Sequence, residues 1–285
     1  MIGTQRNATK PDALTQTILN VLGIASNSLY NTGVYLSGQQ YFEDGKPVSY
    51  AHLCNVLKSD ENYKIMHSQA GQQTLKSVAE AFKSFQALEK KAKKGELKQK
   101  PKLPHYRSKT GVYQVVYPGQ AIKVREHNGT KWLEVPLGRA GNAYFEGIQA
   151  ITVPYPERLW GKKIKELRFV PSNGTWYTEY VYEMDEVPQV TATHTISIDP
   201  GLNNWVSAVC TNGKSFLVSG KRLKSINQWW NKTKAVLQTV VDKQFGDDSF
   251  FTLRMARMTD KRNRQMRDAT NKESSASGHQ LVFEQ

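Results

Sequence analysis

Asp199 is the residue on which chemistry can be built. It stands in Thr195-Ile196-Ser197-Ile198-Asp199-Pro200-Gly201-Leu202-Asn203-Asn204-Trp205-Val206-Ser207-Ala208-Val209. Ile196 and Ile198 alternate with Thr195 and Ser197, the period-2 pattern of a half-buried strand. Pro200-Gly201 reverses the chain, because Pro presets φ and Gly accepts the left-handed backbone that a reversal needs. Val206, Ala208 and Val209 resume an apolar strand, and Asn212-Gly213 marks the next turn. The spacing predicts a carboxylate at the carboxyl end of a strand, facing out of the sheet edge, with Ile196 and Ile198 anchoring it. A carboxylate held in that way can bind a metal and still meet a ligand. Asp-Pro-Gly by itself is also an ordinary turn. Other metal chemistry is poorly provided for. The six histidines are scattered without ligand spacing, and Cys54 and Cys210 form neither a disulfide framework nor a Cys-x-x-Cys zinc site.

The charge of the chain says what such a carboxylate would meet. Thirty-nine Lys and Arg stand against 25 Asp and Glu, a formal charge of +14 with a pI near 9.6 over 285 residues. Such a field draws nucleic acid or an anionic membrane and says nothing about fold. The membrane is excluded on this reading. No apolar run approaches the length of a spanning helix, and Met1-Ile2-Gly3-Thr4-Gln5-Arg6 lacks the apolar core of a signal peptide. The few cysteines fit a reducing, intracellular compartment.

The elements that must hold these residues follow in order. Residues 11–94 read as helical, with Leu14, Ile18, Leu22 and Ala25 on one face, continued by Leu29, Gly33 and Leu36. A turn-rich break is expected from Gly38 to Val48, and Ser49 is the expected N-cap of a helix carrying Leu53, Val56 and Leu57. A longer helix is expected from Ser68 to Lys94, with Leu75, Val78, Ala79, Phe82, Phe85 and Leu88 as its core stripe. Its end turns basic. Lys91, Lys94, Lys98 and Arg107 belong to a run of ten cations (with Lys83, Lys90, Lys93, Lys100, Lys102 and Lys109) against Glu89 and Glu96. Pro101, Pro104, His105 and Tyr106 interrupt it, so it leaves the helix as an extended arm suited to a nucleic-acid backbone.

From Tyr113 to Glu183 the pattern is β. Strands are expected at 112–117, 131–136, 148–153, 164–170 and 176–183, with hairpin turns at Asn128-Gly129 and Asn173-Gly174, which suggests a small barrel. Pro188 to His194 links to the Asp199 hairpin, and Phe216-Leu217-Val218 gives one more strand. Helix follows, broken at Gly246-Asp247-Asp248. A second helix, about Phe250 to Lys272, carries Arg254, Arg257, Lys261, Arg262, Arg264, Arg267 and Lys272 against Asp260 and Asp268. Its apolar residues, Leu253, Met255, Met258 and Met266, look too few for a deep core helix, and its cations suit contact with a polyphosphate.

In this order — helical bundle, basic arm, small barrel, Asp hairpin, basic helix — the chain resembles the TnpB family of transposon-encoded RNA-guided nucleases, relatives of the type V CRISPR effectors. Ser197-Ile198-Asp199-Pro200-Gly201-Leu202-Asn203-Asn204 resembles the first motif of that family's RuvC domain. Trp176 to Glu183 resembles its last barrel strand, and Arg257 to Lys272 the basic helix ahead of the second motif. The resemblance implies an α+β multidomain fold. Residues 1–110 would be a helical recognition domain with the basic arm, 111–190 a small β-barrel, and 191–285 a partial RNase H-like RuvC domain. It further implies a DNA endonuclease that acts in transposition and DNA recombination within a prokaryotic cytoplasm, at the nucleoid. Its partners would be a guide RNA from the transposon end and target DNA. Asp199 would be the first of three carboxylates holding two Mg²⁺ ions.

The chain departs from that family where the second and third carboxylates and a zinc ribbon are expected. Gln280-Leu281-Val282-Phe283-Glu284 could form the second strand, with Glu284 as its carboxylate. The expectation is therefore a family fragment, lacking the third carboxylate and the ribbon, that does not cleave DNA by itself. The alternative is a nuclease-dead, RNA-guided DNA-binding protein or repressor. A generic basic nucleic-acid binder and a decaying gene product complete the readings, and a second chain that supplies carboxylates is left open.

Overall fold

The computed structural model describes residues 1–185, 194–245 and 252–282. The chain falls into two compact units, Met1–Pro171 with Thr175–Glu186, and Ser172–Gly174 with Val187–Gln285.

The first unit begins with a strand that no apolar alternation announces. Strand β1 (Ile2–Ala8) pairs antiparallel along β7 (Thr175–Glu183), with Arg6 3.5 Å from Glu179 and its guanidinium over the Tyr177 ring. Helix α1 (Ala13–Asp44) starts at Asp12, whose carboxylate accepts a 2.7 Å hydrogen bond from the Thr15 N–H. That bond holds the Asp12 carboxyl below its ordinary range. The helix ends at Gly45, left-handed with φ 67°, whose N–H bonds to the Tyr41 carbonyl. The break expected from Gly38 is thus confined to residues after Asp44. A glycine inside a helix costs only about 1 kcal/mol, and Tyr41 offsets it by bonding Glu89 at 3.0 Å and packing edge-on against Phe85.

Helices α2 (Tyr50–Leu57), α3 (Glu61–Ile65) and α4 (Ser68–Lys93) follow, and Ser49 caps α2 by accepting from His52 N–H. Leu53, Leu57, Leu75, Val78, Phe82 and Phe85 are buried as their spacing predicts, while Val56 and Leu88 are exposed.

The β elements of this unit hydrogen-bond as two antiparallel sheets. One has the order β1-β7-β6-β2, with β2 at Val115–Pro118 and β6 at Ile164–Ser172. The other is β3 (Lys123–His127), β4 (Thr130–Pro136) and β5 (Ala150–Pro154), with the short helix α5 (Arg139–Tyr144) between β4 and β5. Strand β2 starts three residues later than expected because the Tyr113 N–H bonds to the Gly23 carbonyl of α1 at 2.9 Å. The expected hairpin turns are present, with positive φ at Asn128, Gly129, Asn173 and Gly174.

One hydrophobic core runs through these helices and strands. Ile18, Leu19 and Leu22 of α1 and Phe82 of α4 meet Val115, Tyr117, Phe169 and Trp176. Trp176 presses so closely on Gly23 that a Cβ there would lie 2.7 Å from the ring, and its indole N–H donates to Asn20 at 2.9 Å.

The second unit contains a three-stranded antiparallel sheet, β8 (Ile196–Pro200), β9 (Asn204–Cys210) and β10 (Ser215–Ser219), ordered β10-β9-β8. Two helices follow, α6 (Lys221–Phe245) and α7 (Leu253–Val282). Met255, Ala256 and Met258 of α7 are buried, so its first turns are core after all, contrary to the reading that its apolar residues are too few. The possible strand at residues 280–284 is helix over its described part, since α7 runs to Val282. No proline interrupts it, and Gly278 alone is a modest cost.

Candidate nucleic-acid interface and metal-binding carboxylate

Asp199 is the fourth residue of β8, paired with Ser207 of β9. It is exposed, as expected for a carboxylate at a strand end. Its anchorage differs from expectation. Ile198 is 57% exposed on its face of the sheet and so does not anchor the strand by burial, and β8 is the edge strand among the described residues. The strand is held instead by its ladder to β9 and by Thr195, whose N–H donates to Thr211 Oγ1 at 3.0 Å and whose carbonyl accepts from Thr211 N–H at 2.9 Å.

The turn after Asp199 is built on close backbone approach. Gly201 does not have positive φ, and the left-handed role expected of it does not apply. A Cβ at Gly201 would lie 2.7 Å from the Asn204 carbonyl oxygen, which is why a side chain is excluded there. Asn203 fixes the turn to α6: its carbonyl accepts from Gly220 N–H at 2.8 Å, and its Oδ1 accepts from Lys224 Nζ at 3.0 Å. The next turn follows expectation, with Gly213 at φ 83°.

Helix α7 presents the predicted cations. Arg254, Arg257, Lys261, Arg264 and Arg267 are exposed. Arg264 is 3.0 Å from Asp260 and Lys272 2.9 Å from Asp268, pairs at helical spacing that are worth little at a surface. Arg262 differs from the rest. Its Nε donates to Asn227 Oδ1 at 2.8 Å, and its guanidinium lies 5.1 Å from the Trp230 ring centroid. Trp230 also faces Lys234 and donates its indole N–H to Thr259 Oγ1 at 3.2 Å. Arg262 therefore fastens α7 to α6, a role in which five fixed donors and a flat face matter more than charge. Asn227 and Trp230 were not singled out from sequence. The run Asn227-Gln228-Trp229-Trp230-Asn231, unusual in a helix, was the available signal.

The basic arm belongs to the first unit. Lys91, Lys94 and Lys98 are exposed. Arg107 is clamped: its backbone N–H donates to Asn31 Oδ1 at 2.8 Å, its carbonyl accepts from Asn31 Nδ2 at 3.1 Å, and its Nε donates to Asn27 Oδ1 at 3.0 Å. Its guanidinium lies 4.1 Å from the Tyr113 ring centroid. Asn27 Nδ2 in turn donates to the Ser108 carbonyl. Two asparagines one helical turn apart on α1 thus hold the arm to the bundle.

Among the described residues no three His, Cys, Asp or Glu side chains come together in a way that could hold a metal ion. Glu284 lies outside the described residues. No described helix is long and apolar enough to cross a membrane.

Residues 179–276 match the model of a family described as a probable transposase, OrfB_IS605, a span that includes Asp199, the sheet around it and most of the two helices. No curated protein matches the chain. A cryo-EM structure of a Cas12f1–sgRNA–target DNA complex has the same fold, with a TM-score of 0.60 at 11% identity, covering 93% of this chain and 62% of that one. A second, of a CRISPR-Cas12f ternary complex, aligns at a TM-score of 0.39 and 12% identity over 94% of this chain and 61% of that one. The chain thus spans less than two thirds of the length of the proteins whose structures it resembles. The resemblance to TnpB transposases is met by a family match over residues 179–276 and by a Cas12f-like fold over most of the chain.

Proposed function

We propose that this protein is a TnpB-like, RNA-guided DNA-targeting protein of transposon origin. One observation carries the reading. The transposase family match falls on the segment that holds both the Asp199 hairpin and the basic helix α7, in a chain of net charge +14. The Cas12f-like fold supports it. In this reading the second unit is part of an RNase H-like, RuvC-type domain, and the helices and sheets of the first unit form the recognition and barrel regions. Exposed cations of α7 and of the arm neutralise nucleic-acid phosphates without reading sequence, which is left to base pairing between guide and target.

Asp199 is the residue that would hold Mg²⁺. Two divalent ions need several ligating oxygens around them, and Asp199 stands without such a cluster among the described residues. The described donor set does not fit a two-metal site, so no cleavage step follows from it.

The test is purification from the native host followed by sequencing of the retained RNA. A discrete RNA that maps beside a transposon end is expected. An unenriched mixture mirroring total cellular RNA would overturn the proposal and leave only generic affinity for polyanions.

A further inference from the structure

The turn that follows Asp199 borders a half-open pocket that the proposed function does not use. Leu202 and Trp205 from the turn and β9, Leu223 and Asn227 from α6, and Met266 from α7 surround a volume of about 250 Å³. That is below the ~300–1,000 Å³ of a drug-sized site, and suits one planar ring system.

Its chemistry is neutral. The walls are apolar, and the half-buried Trp205 supplies an aromatic face. The polar groups are carboxamides: Asn227, Gln228 and Asn231, on one helical turn of α6. Asn227 is fixed, because its Oδ1 accepts from Arg262, which leaves its NH₂ to donate elsewhere. Among the described residues the one cation in the lining, Lys224, bonds to Asn203 at 3.0 Å, and no carboxylate lines the cavity. In so basic a protein, a slot built from carboxamides and an aromatic ring selects the uncharged part of a nucleic acid. Carboxamides match the donor and acceptor edges of bases, and aromatic rings stack on their faces.

The strand register adds its position. Asp199 pairs with Ser207, and Trp205 lies two residues before Ser207 on β9, so Trp205 and Asp199 project from the same face of the sheet. A base inside a duplex is stacked and paired on its recognition edge, so only an unpaired base can enter.

We propose that this cavity takes one unpaired nucleobase from a single strand whose backbone passes Asp199. The inference rests on the nucleic-acid reading above and adds to it a base-recognition site.

The experiment measures binding of the full chain to a single DNA strand of ~12 nucleotides, within the usual span of a strand-binding site. A series of strands, each with one abasic position, is compared at low and high salt. Loss of the base that occupies the cavity is expected to weaken binding about 5- to 150-fold at one position only. That position-specific loss should disappear in Trp205→Ala and in Gln228→Ala/Asn231→Ala, the latter two being exposed side chains. Abasic and intact strands bound alike, with salt dependence retained, would overturn the cavity while leaving backbone binding intact. A position-specific loss that persists in both variants would place the base elsewhere and overturn it as well. No salt-dependent binding of any strand would overturn the nucleic-acid reading and the cavity together.

Discussion

Trp176 and Ile198 are both strand residues near a turn, and the two units treat them differently. Trp176 is 2% exposed, seated on Gly23 and bonded to Asn20. Ile198, next to Asp199, is 57% exposed on an edge strand. Val209 and Leu217 are likewise exposed, and their pairing with Ser215 and Ser207 puts them on the same sheet face as Asp199. The first unit closes a core with its apolar residues. The second leaves apolar and charged groups outward around one carboxylate. Stability is concentrated in the one, surface available to a ligand in the other.

The largest test of that contrast is salt. If six or more phosphates are engaged, raising salt from about 50 to about 200 mM should weaken nucleic-acid binding by about 10³–10⁵-fold, while the unfolding transition of the first unit moves little. A flat titration would mean that the outward cations of α7 do not meet phosphates. Next is core truncation. Trp176→Ala should cost about 3–5 kcal/mol by denaturant titration, whereas Ile198→Ala should cost a small fraction of that. Equal losses would erase the distinction between the units. Gly138→Ala should cost about 1–3 kcal/mol or more, since a Cβ there would lie 2.1 Å from the Met66 carbonyl oxygen.

Smaller effects sharpen the comparison within the basic residues. Arg107→Ala should lower stability by about 1 kcal/mol and speed proteolysis of the arm, because it releases the Asn27 and Tyr113 contacts. Lys98→Ala should leave both unchanged and weaken only nucleic-acid binding. The smallest effect is one of pH. Burial holds the His67 imidazole below its ordinary value near 6.5. As pH falls through that value, the unfolded chain takes up the proton first, so stability is present above it and lost below it. The first unit should therefore unfold more easily at pH about 5 than at about 7, and less so in His67→Gln.

Much of this arrangement is legible in the sequence, and the misses have physical causes. Helices α1 and α4 declare themselves through stripes of long apolar side chains, and the hairpins through Asn-Gly pairs that accept positive φ. Strand β1 does not, because Gly3, Gln5 and Arg6 take their contacts from β7, 170 or so residues away, rather than from any local pattern. The exposure of Ile198 was hidden for a related reason, since alternation records which residues share a face but not what covers it. At the candidate site, Asp199 and the α7 cations follow from residue type and spacing. The clamps do not. Arg107 and Arg262 read as interchangeable with their neighbours until Asn27, Asn31 and Asn227 are brought to them from other elements.

The most direct measurement of the central claim is capture of duplex DNA by the protein purified with its RNA. Duplexes whose sequence matches the retained RNA should be bound, and duplexes mismatched in the first base pairs formed should not, with Asp199→Ala binding both as the unaltered chain does. Equal capture of matched and mismatched DNA would contradict guidance by RNA and reduce the protein to a basic surface.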